Sequence, residues 1–193
     1  MATLDRLTWP ATARDVDDLV AVLGSGASRR EGGVDPRSSC TQLQHALQCA
    51  ELLQTTHPDD LELQVAGLLH DVGHLLEPGD VEAHGRVGRA WLTPLLGPRV
   101  GSLVELHVPA KRYLVTVDPE YRARLSEGSV RTLTAQGDVL TPTEAAAFEA
   151  DPHHRDALML RRADEGGKVA GIDAGRIVDW LPTLRTVAAT NGS

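Results

Sequence analysis

An all-α fold, a single bundle of helices, is what this sequence predicts, and three observations predict it. Apolar side chains recur every three or four positions over most of the 193 residues. Capping residues, prolines and glycines punctuate those stretches where helices should start and stop. No stretch alternates as a half-buried strand would, and neither an internal repeat nor a linker divides residues 1–193, so one domain is expected.

Asp15 reads as an N-cap, and Val16, Leu19, Val20 and Leu23 form the apolar stripe of a helix ending at Gly24. Residues 25–37 are rich in Gly, Ser and charge, and read as a loop and a candidate lid. From Ser39 onward, Leu43, Ala46, Leu47, Ala50 and Leu53 make an amphipathic helix with His45 near its middle. Pro58-Asp59-Asp60 opens a helix over residues 61–74, and Glu77-Pro78-Gly79 breaks it. Asp80 is expected to cap the next helix, with His84 in its first turns and Val87, Trp91, Leu92 and Leu95 on its apolar face. Pro94 should kink that helix and Gly97-Pro98 should stop it. Short helical pieces are expected at residues 100–107, from Pro109 to Leu114, and at 120–125 and 126–136. Thr141-Pro142-Thr143-Glu144 is a capping box for residues 142–150, and Asp151-Pro152 starts a helix over 153–164. Asp173 should cap a last helix that Pro182 kinks or ends.

A formal net charge of -8 argues against a nucleic-acid-binding surface. With three Trp, two Tyr and one Phe there is little material for base stacking. No apolar run is long enough to span a membrane, so none is expected as a partner. Residues 1–14 carry no signal-peptide core, and Cys40 and Cys49, the only cysteines, read as reduced thiols of a cytoplasmic protein.

The chemistry gathers on Leu68-Leu69-His70-Asp71-Val72-Gly73-His74-Leu75-Leu76. A helix burying Val65, Leu68, Leu69 and Val72 would carry His70 and His74 on one face, with Asp71 about 100° round from His70. A His–Asp pair in an apolar frame is costly unless something binds it. Further candidate ligands are His45, His84, His107 and Asp164. His45, His70, Asp71 and Asp164 could fill one metal shell, and His84 with His107 a second if Asp71 bridges. This nitrogen and oxygen set suits iron or manganese, and it has no thiolate to select zinc. His57, His153 and His154 read as solvent-exposed.

The order His45, His70-Asp71, Asp164 resembles the HD-domain superfamily, helical metal proteins that are mostly phosphohydrolases. Four further stretches narrow the resemblance: residues 42–48 around His45; His84-Gly85 in a helix reaching Trp91-Leu92; His107-Val108-Pro109-Ala110-Lys111-Arg112-Tyr113-Leu114; and the spacing of Leu125-Ser126, Ser129, Thr132, Gln136-Gly137 and Arg161-Arg162-Ala163-Asp164. Over about residues 42–168 the chain is similar to the phosphonate-cleaving HD-domain di-iron oxygenases, relatives of myo-inositol oxygenase. That resemblance implies an HD-domain helical bundle whose motif-bearing core is about residues 39–168. It implies one iron at His45, His70, Asp71 and Asp164, another at His84 and His107, and Asp71 as the bridge. It implies substrate contacts at His74, Lys111, Ser129, Thr132 and Arg161, with His74 and Lys111 in catalytic positions. Lys111 and Arg161 would supply the local positive charge a phosphonate needs on an acidic protein. Ser129 and Thr132, three apart on one helix, can turn both hydroxyls to one oxyanion.

Two departures stand out. Ten and seven residues before His45, where the family has a lid Tyr and a Glu, this chain has Asp35 and Ser38, and Glu165 stands where the family's type member has Gln. Asp35 and Glu165 are therefore expected to face a cationic substrate end, such as a quaternary ammonium. The reaction the resemblance implies uses an Fe(II)/Fe(III) pair and dioxygen to take hydrogen from C1 and cleave the carbon–phosphorus bond, giving phosphate and a carboxylic acid. Two alternatives remain open at this level: a hydrolytic HD phosphohydrolase, and a non-catalytic HD module.

Overall fold

Among the described residues capped amphipathic stretches become helix, and no extended strand occurs. The structure is a computed structural model; it describes residues 9–29 and 40–191. Asp35, Ser38 and Ser39 lie outside them. Helix α1 (Val16–Ser25) is capped by Asp15, which accepts from the Asp18 N–H, and passes into a 3-10 turn at Gly26–Ser28. Helix α2 (Gln42–Thr56) begins on a Thr41/Gln44 capping box, a start signal the sequence reading placed at Ser39.

Residues 61–74 do not form the one helix expected. Helix α3 (Leu61–Leu69), capped by Asp60, stops at His70. Asp71 sits at φ −98°, ψ 9°, and helix α4 (Val72–Leu76) restarts beyond it. The His70 ring explains the stop: its Nδ1 donates to Gly67 O at 2.8 Å, the carbonyl a continuing helix would offer to Asp71 N–H. His70 and His74 therefore do not share a helix face.

Helix α5 (His84–Val117) also differs from expectation. Asp80 caps the turn ahead of it, accepting from the Glu82 and Ala83 N–H groups. The backbone leaves helical angles at Gly97 (φ 85°, ψ 168°), so two helices meet there at a kink, as the stop expected at Gly97-Pro98 requires; Pro94 makes no kink, and the separate pieces expected at 100–107 and from Pro109 are one continuous run. Pro109 removes an N–H, a defect of about 3 kcal/mol in a free helix. Burial of Val104, His107, Ala110, Lys111 and Leu114 on either side holds the helix through it.

Helix α6 (Pro119–Arg124) is capped by Asp118, and α7 (Glu127–Ala135) by Ser126. Helix α8 (Pro142–Ala150) carries the expected Thr141/Glu144 capping box, and α9 (His154–Gly166) follows. Asp173 caps no helix; it accepts from Gly175 N–H. A 3-10 turn at Ile177–Trp180 leads into α10 (Leu181–Asn191). Pro182 lies in its first turn, where a missing N–H costs nothing, so it starts this helix and does not end it.

Helix α2 packs along α3 and α9, and α5 lies against α3, α4 and α9. Leu53, Leu68, Leu92, Leu103 and Leu160 fill the space between them, all buried. Truncating any one should cost about 2–5 kcal/mol. Where α4 crosses α5, a Cβ on Gly73 would stand 2.0 Å from His84 O, so only glycine allows the crossing. A smaller cluster, Leu114, Val115, Tyr121 and Leu133, seats α6 and α7 on α5. Arg99 of α5 clips Asp60 and Glu62 of α3 to Asp156 of α9. Cys40 and Cys49 are buried and form no disulfide. Among the described residues no helix is long and apolar enough to cross a membrane.

Candidate metal centre

Five of the six expected ligands are almost fully buried, and all six meet. His45 comes from the first turns of α2, His70-Asp71 from the break between α3 and α4, His84 and His107 from α5, and Asp164 from α9. His45 Nε2 lies 3.1 Å from His70 Nε2 and 3.2 Å from Asp164 Oδ1. His84 Nε2 lies 3.0 Å from His107 Nε2. Asp71 stands between the two groups. Its Oδ2 is 3.4 Å from His70 Nε2 and 3.8 Å from His45 Nε2, and its Oδ1 is 3.6 and 3.5 Å from the Nε2 atoms of His84 and His107.

Each imidazole is turned by its other nitrogen. The Nδ1 atoms of His45, His70, His84 and His107 donate to the carbonyls of Gly167, Gly67, Val81 and Val104, at 2.9, 2.8, 2.7 and 2.5 Å. A ring that donates from Nδ1 presents a lone pair at Nε2 when neutral. Two such lone pairs facing each other at 3 Å, twice over, call for a cation between them. Asp164 Oδ1, buried and 3.2 Å from His45 Nε2, points into the same place. With metal–nitrogen bonds of about 2.1 Å, donors at right angles stand about 3 Å apart, close to the spacings seen here. The residues fit two metal ions, and the donors are those that suit iron or manganese.

The electrostatics differ between the two groups: burial pushes His70 down, but Asp71 and Asp164 outweigh it and hold this ring well above the usual imidazole range. Burial, with His107 and His74 nearby, pushes His84 down to about 3, and burial pushes His107 down as well, so both rings are neutral. Burial pushes the Asp164 carboxyl up, but Arg161 and Lys168 outweigh it and hold it well below the usual carboxylate range.

A cavity of about 380 Å³ opens on this centre. His74, Lys111, Ser129, Thr132 and Arg161 all line it. His74 stacks on His84 with ring centroids 3.9 Å apart and an interplanar angle of 12°. Lys111 Nζ donates to Thr132 Oγ1 at 2.8 Å. Arg161 donates to Tyr121 Oη at 2.7 Å and pairs with Asp164 and Glu165. Arg112, beside Lys111 in the sequence, turns away and binds the carbonyls of Asp138 and Val139 and the Glu144 carboxylate.

Glu165 corrects an expectation. It does not line the cavity; its carboxylate accepts from Ser126 N–H and Ser129 Oγ and pairs with Arg161, so it has no free face for a cationic substrate. Asp35 lies outside the described residues. His57, His153 and His154 are half-buried and stand outside the centre. Gln136, already part of the spacing that carries the resemblance, also lines the cavity, as do Lys168, Arg29 and Arg131, which the sequence did not single out. Nothing in the local spacing of those three marks them, since each reaches the cavity from a different segment.

A family model described as myo-inositol oxygenase matches residues 32–87. A hydroxymethylphosphonate dioxygenase of Gimesia maris is 43% identical over 143 residues, 69% of this chain and 71% of that protein. A 1-hydroxy-2-(trimethylamino)ethylphosphonate dioxygenase (glycine-betaine-forming) of Leisingera caerulea is 33% identical over 153 residues, 75% of this chain and 78% of that protein. An uncharacterized protein of Acanthamoeba polyphaga mimivirus is 33% identical over 141 residues, 68% of this chain and 64% of that protein.

Proposed function

Because this chain belongs to the family of phosphonate dioxygenases related to myo-inositol oxygenase, we propose that it uses dioxygen to cleave the carbon–phosphorus bond of a small 1-hydroxyphosphonate. The products are phosphate and a carboxylic acid. Both oxygen atoms of dioxygen end in these products, so the overall reaction balances without an external reductant. The observation that carries the reading is Asp71, whose two carboxylate oxygens face two different histidine pairs.

In this reading His45, His70, Asp71 and Asp164 would hold one iron, and His84 and His107, with Asp71 shared, would hold the other. The Fe(II)/Fe(III) pair supplies the activation of dioxygen and the oxidising power. The chain supplies orientation and charge. Lys111 and Arg161 neutralise the phosphonate, while the Ser129 and Thr132 hydroxyls fix its rotation. His74, held flat against His84, hydrogen-bonds a substrate oxygen and keeps C1 turned to the metals.

The described wall also favours one kind of substrate. Its only carboxylates are Asp71 and Asp164, it has no Trp, Tyr or Phe, and Arg29 and Arg131 stand on it. A cationic end, such as the one in the name of the Leisingera relative, would meet like charge here. Hydroxymethylphosphonate, named for the Gimesia relative, has no such end and fits the wall.

The test is phosphate release from iron-loaded protein given hydroxymethylphosphonate or 2-amino-1-hydroxyethylphosphonate, with and without dioxygen. The expected result is one dioxygen consumed per phosphate, no release without oxygen, and preference for the unsubstituted compound. Phosphate release that persists without oxygen would mean hydrolysis and sink the proposal.

A further inference from the structure

We propose that Lys168 is a further substrate-binding residue, a third cation for the phosphonate, delivered into the cavity by a short strap of main chain tied to α2. The inference rests on the reading of the cavity as a phosphonate site.

The strap is residues 167–169, just past the end of α9. Gly167 O accepts from His45 Nδ1 at 2.9 Å. The Gln48 side chain clamps Val169 at two points: its Nε2 donates to Val169 O at 2.9 Å, and its Oε1 accepts from Val169 N–H at 3.1 Å. Gln48 is buried on α2, and a Cβ on Gly167 would come within 3.0 Å of Cys49 N, so the strap lies hard against that helix. Tied on both sides, Lys168 is directed into the cavity. Its Nζ donates to Ser129 Oγ at 3.1 Å and stands 3.0 Å from Asp164 Oδ1 and 3.8 Å from Glu165 Oε2.

The charge balance shows what this ammonium is for. Lys111, Arg161 and Lys168 line the cavity together with Arg29 and Arg131, opposed on its wall by Asp71 and Asp164, while Glu165 pairs with Arg161 and Lys168 from behind. Asp71 and Asp164 are the carboxylates placed to hold metal. With those two committed, Glu165 alone opposes these cations, which leaves a surplus of positive charge beside the metal site. A phosphonate dianion carries the opposite charge. The strain of the surplus shows at Lys111, pushed down to about 7 by burial first, then by Arg161, with Lys168 adding to it. Ser129 joins the parts, since its hydroxyl accepts from Lys168 and donates to Glu165. The same strap orients a metal ligand and a substrate cation, so the spacing between the two is set by one piece of backbone.

The probe is inorganic phosphate, titrated calorimetrically into anaerobic, iron-loaded protein. Lys168→Met should weaken phosphate binding about 10- to 100-fold, the scale of one charge-assisted hydrogen bond, with iron content unchanged. Lys168→Arg should stay within about fivefold of the parent. In turnover, Lys168→Met should raise KM for hydroxymethylphosphonate far more than it lowers kcat. Gln48→Leu, which loosens the strap but keeps the charge, should weaken phosphate binding by a smaller factor. Unchanged phosphate affinity in Lys168→Met would overturn the proposal. So would loss of iron with normal phosphate affinity in the loaded fraction, because Lys168 would then only be supporting Asp164. Phosphate binding needs no oxygen: Lys168-dependent binding in a protein that cleaves no phosphonate would refute the oxidative reaction and leave this assignment standing.

Discussion

On the metal side of the cavity each of four imidazoles is held by a main-chain carbonyl, whereas on the phosphonate side each cation is held by other side chains. A carbonyl anchor survives any single side-chain change and fixes both ring direction and tautomer. Side-chain anchors such as Thr132, Tyr121 and Ser129 can be exchanged one at a time. The metal side is therefore built for constancy and the phosphonate side for adjustment. Two relatives named for different phosphonates suit a scaffold with that division.

The largest effect expected from disturbing the metal side is at the bridge. Asp71→Asn keeps the shape but loses one charged oxygen, and should cut iron content and lower the rate by at least about a thousandfold. Metal analysis with phosphate release checks this, and full occupancy at normal rate would show that the carboxylate joins nothing. Next is the backbone on which that side depends. Gly73→Ala should destabilise the fold by about 3 kcal/mol or more, because its Cβ meets His84 O and neither main chain can yield cheaply. Thermal unfolding reads this directly.

The phosphonate side should respond by degrees. Lys111, pushed down to about 7 by burial and then by Arg161, is charged below that pH and neutral above it. Since kcat/KM reports the free protein, it should fall as pH rises past about 7, approaching tenfold per unit. Lys111→Arg keeps its charge and should remove that alkaline fall; an unaltered profile would place the titration elsewhere. The smallest change is Thr132→Val, which strips one partner from Lys111 and should raise KM about three- to tenfold without altering iron content.

The legible part of the site was the part with local spacing. His70-Asp71 and the stretch from His107 to Leu114 could be read because their chemistry lies within a few residues. Capped helices such as α1 and α8 were legible for the same reason. The break after Leu69 was not, because nothing in Leu-Leu-His-Asp announces that the His70 ring will take the Gly67 carbonyl. The continuity of α5 through Pro109 was misread because a helix breaker counts heavily by local rule, while the burial that overrides it comes from packing against α3, α4 and α9. Glu165 was misassigned for a related reason: its charge was visible, but its partners Ser126, Ser129 and Arg161 were not.

Residue order alone was enough for the all-helical character, the helix starts at Asp15, Asp60 and Thr141, and the choice of six nitrogen- and oxygen-bearing side chains that converge, because periodicity, capping and donor chemistry are local properties. Packing in three dimensions settled how Asp71 divides its oxygens between two histidine pairs, and how Lys168 comes to share a cavity with Lys111 and Arg161. The reason is that direction and net charge at a point in space are sums over side chains from distant helices, and no window along the chain contains that sum.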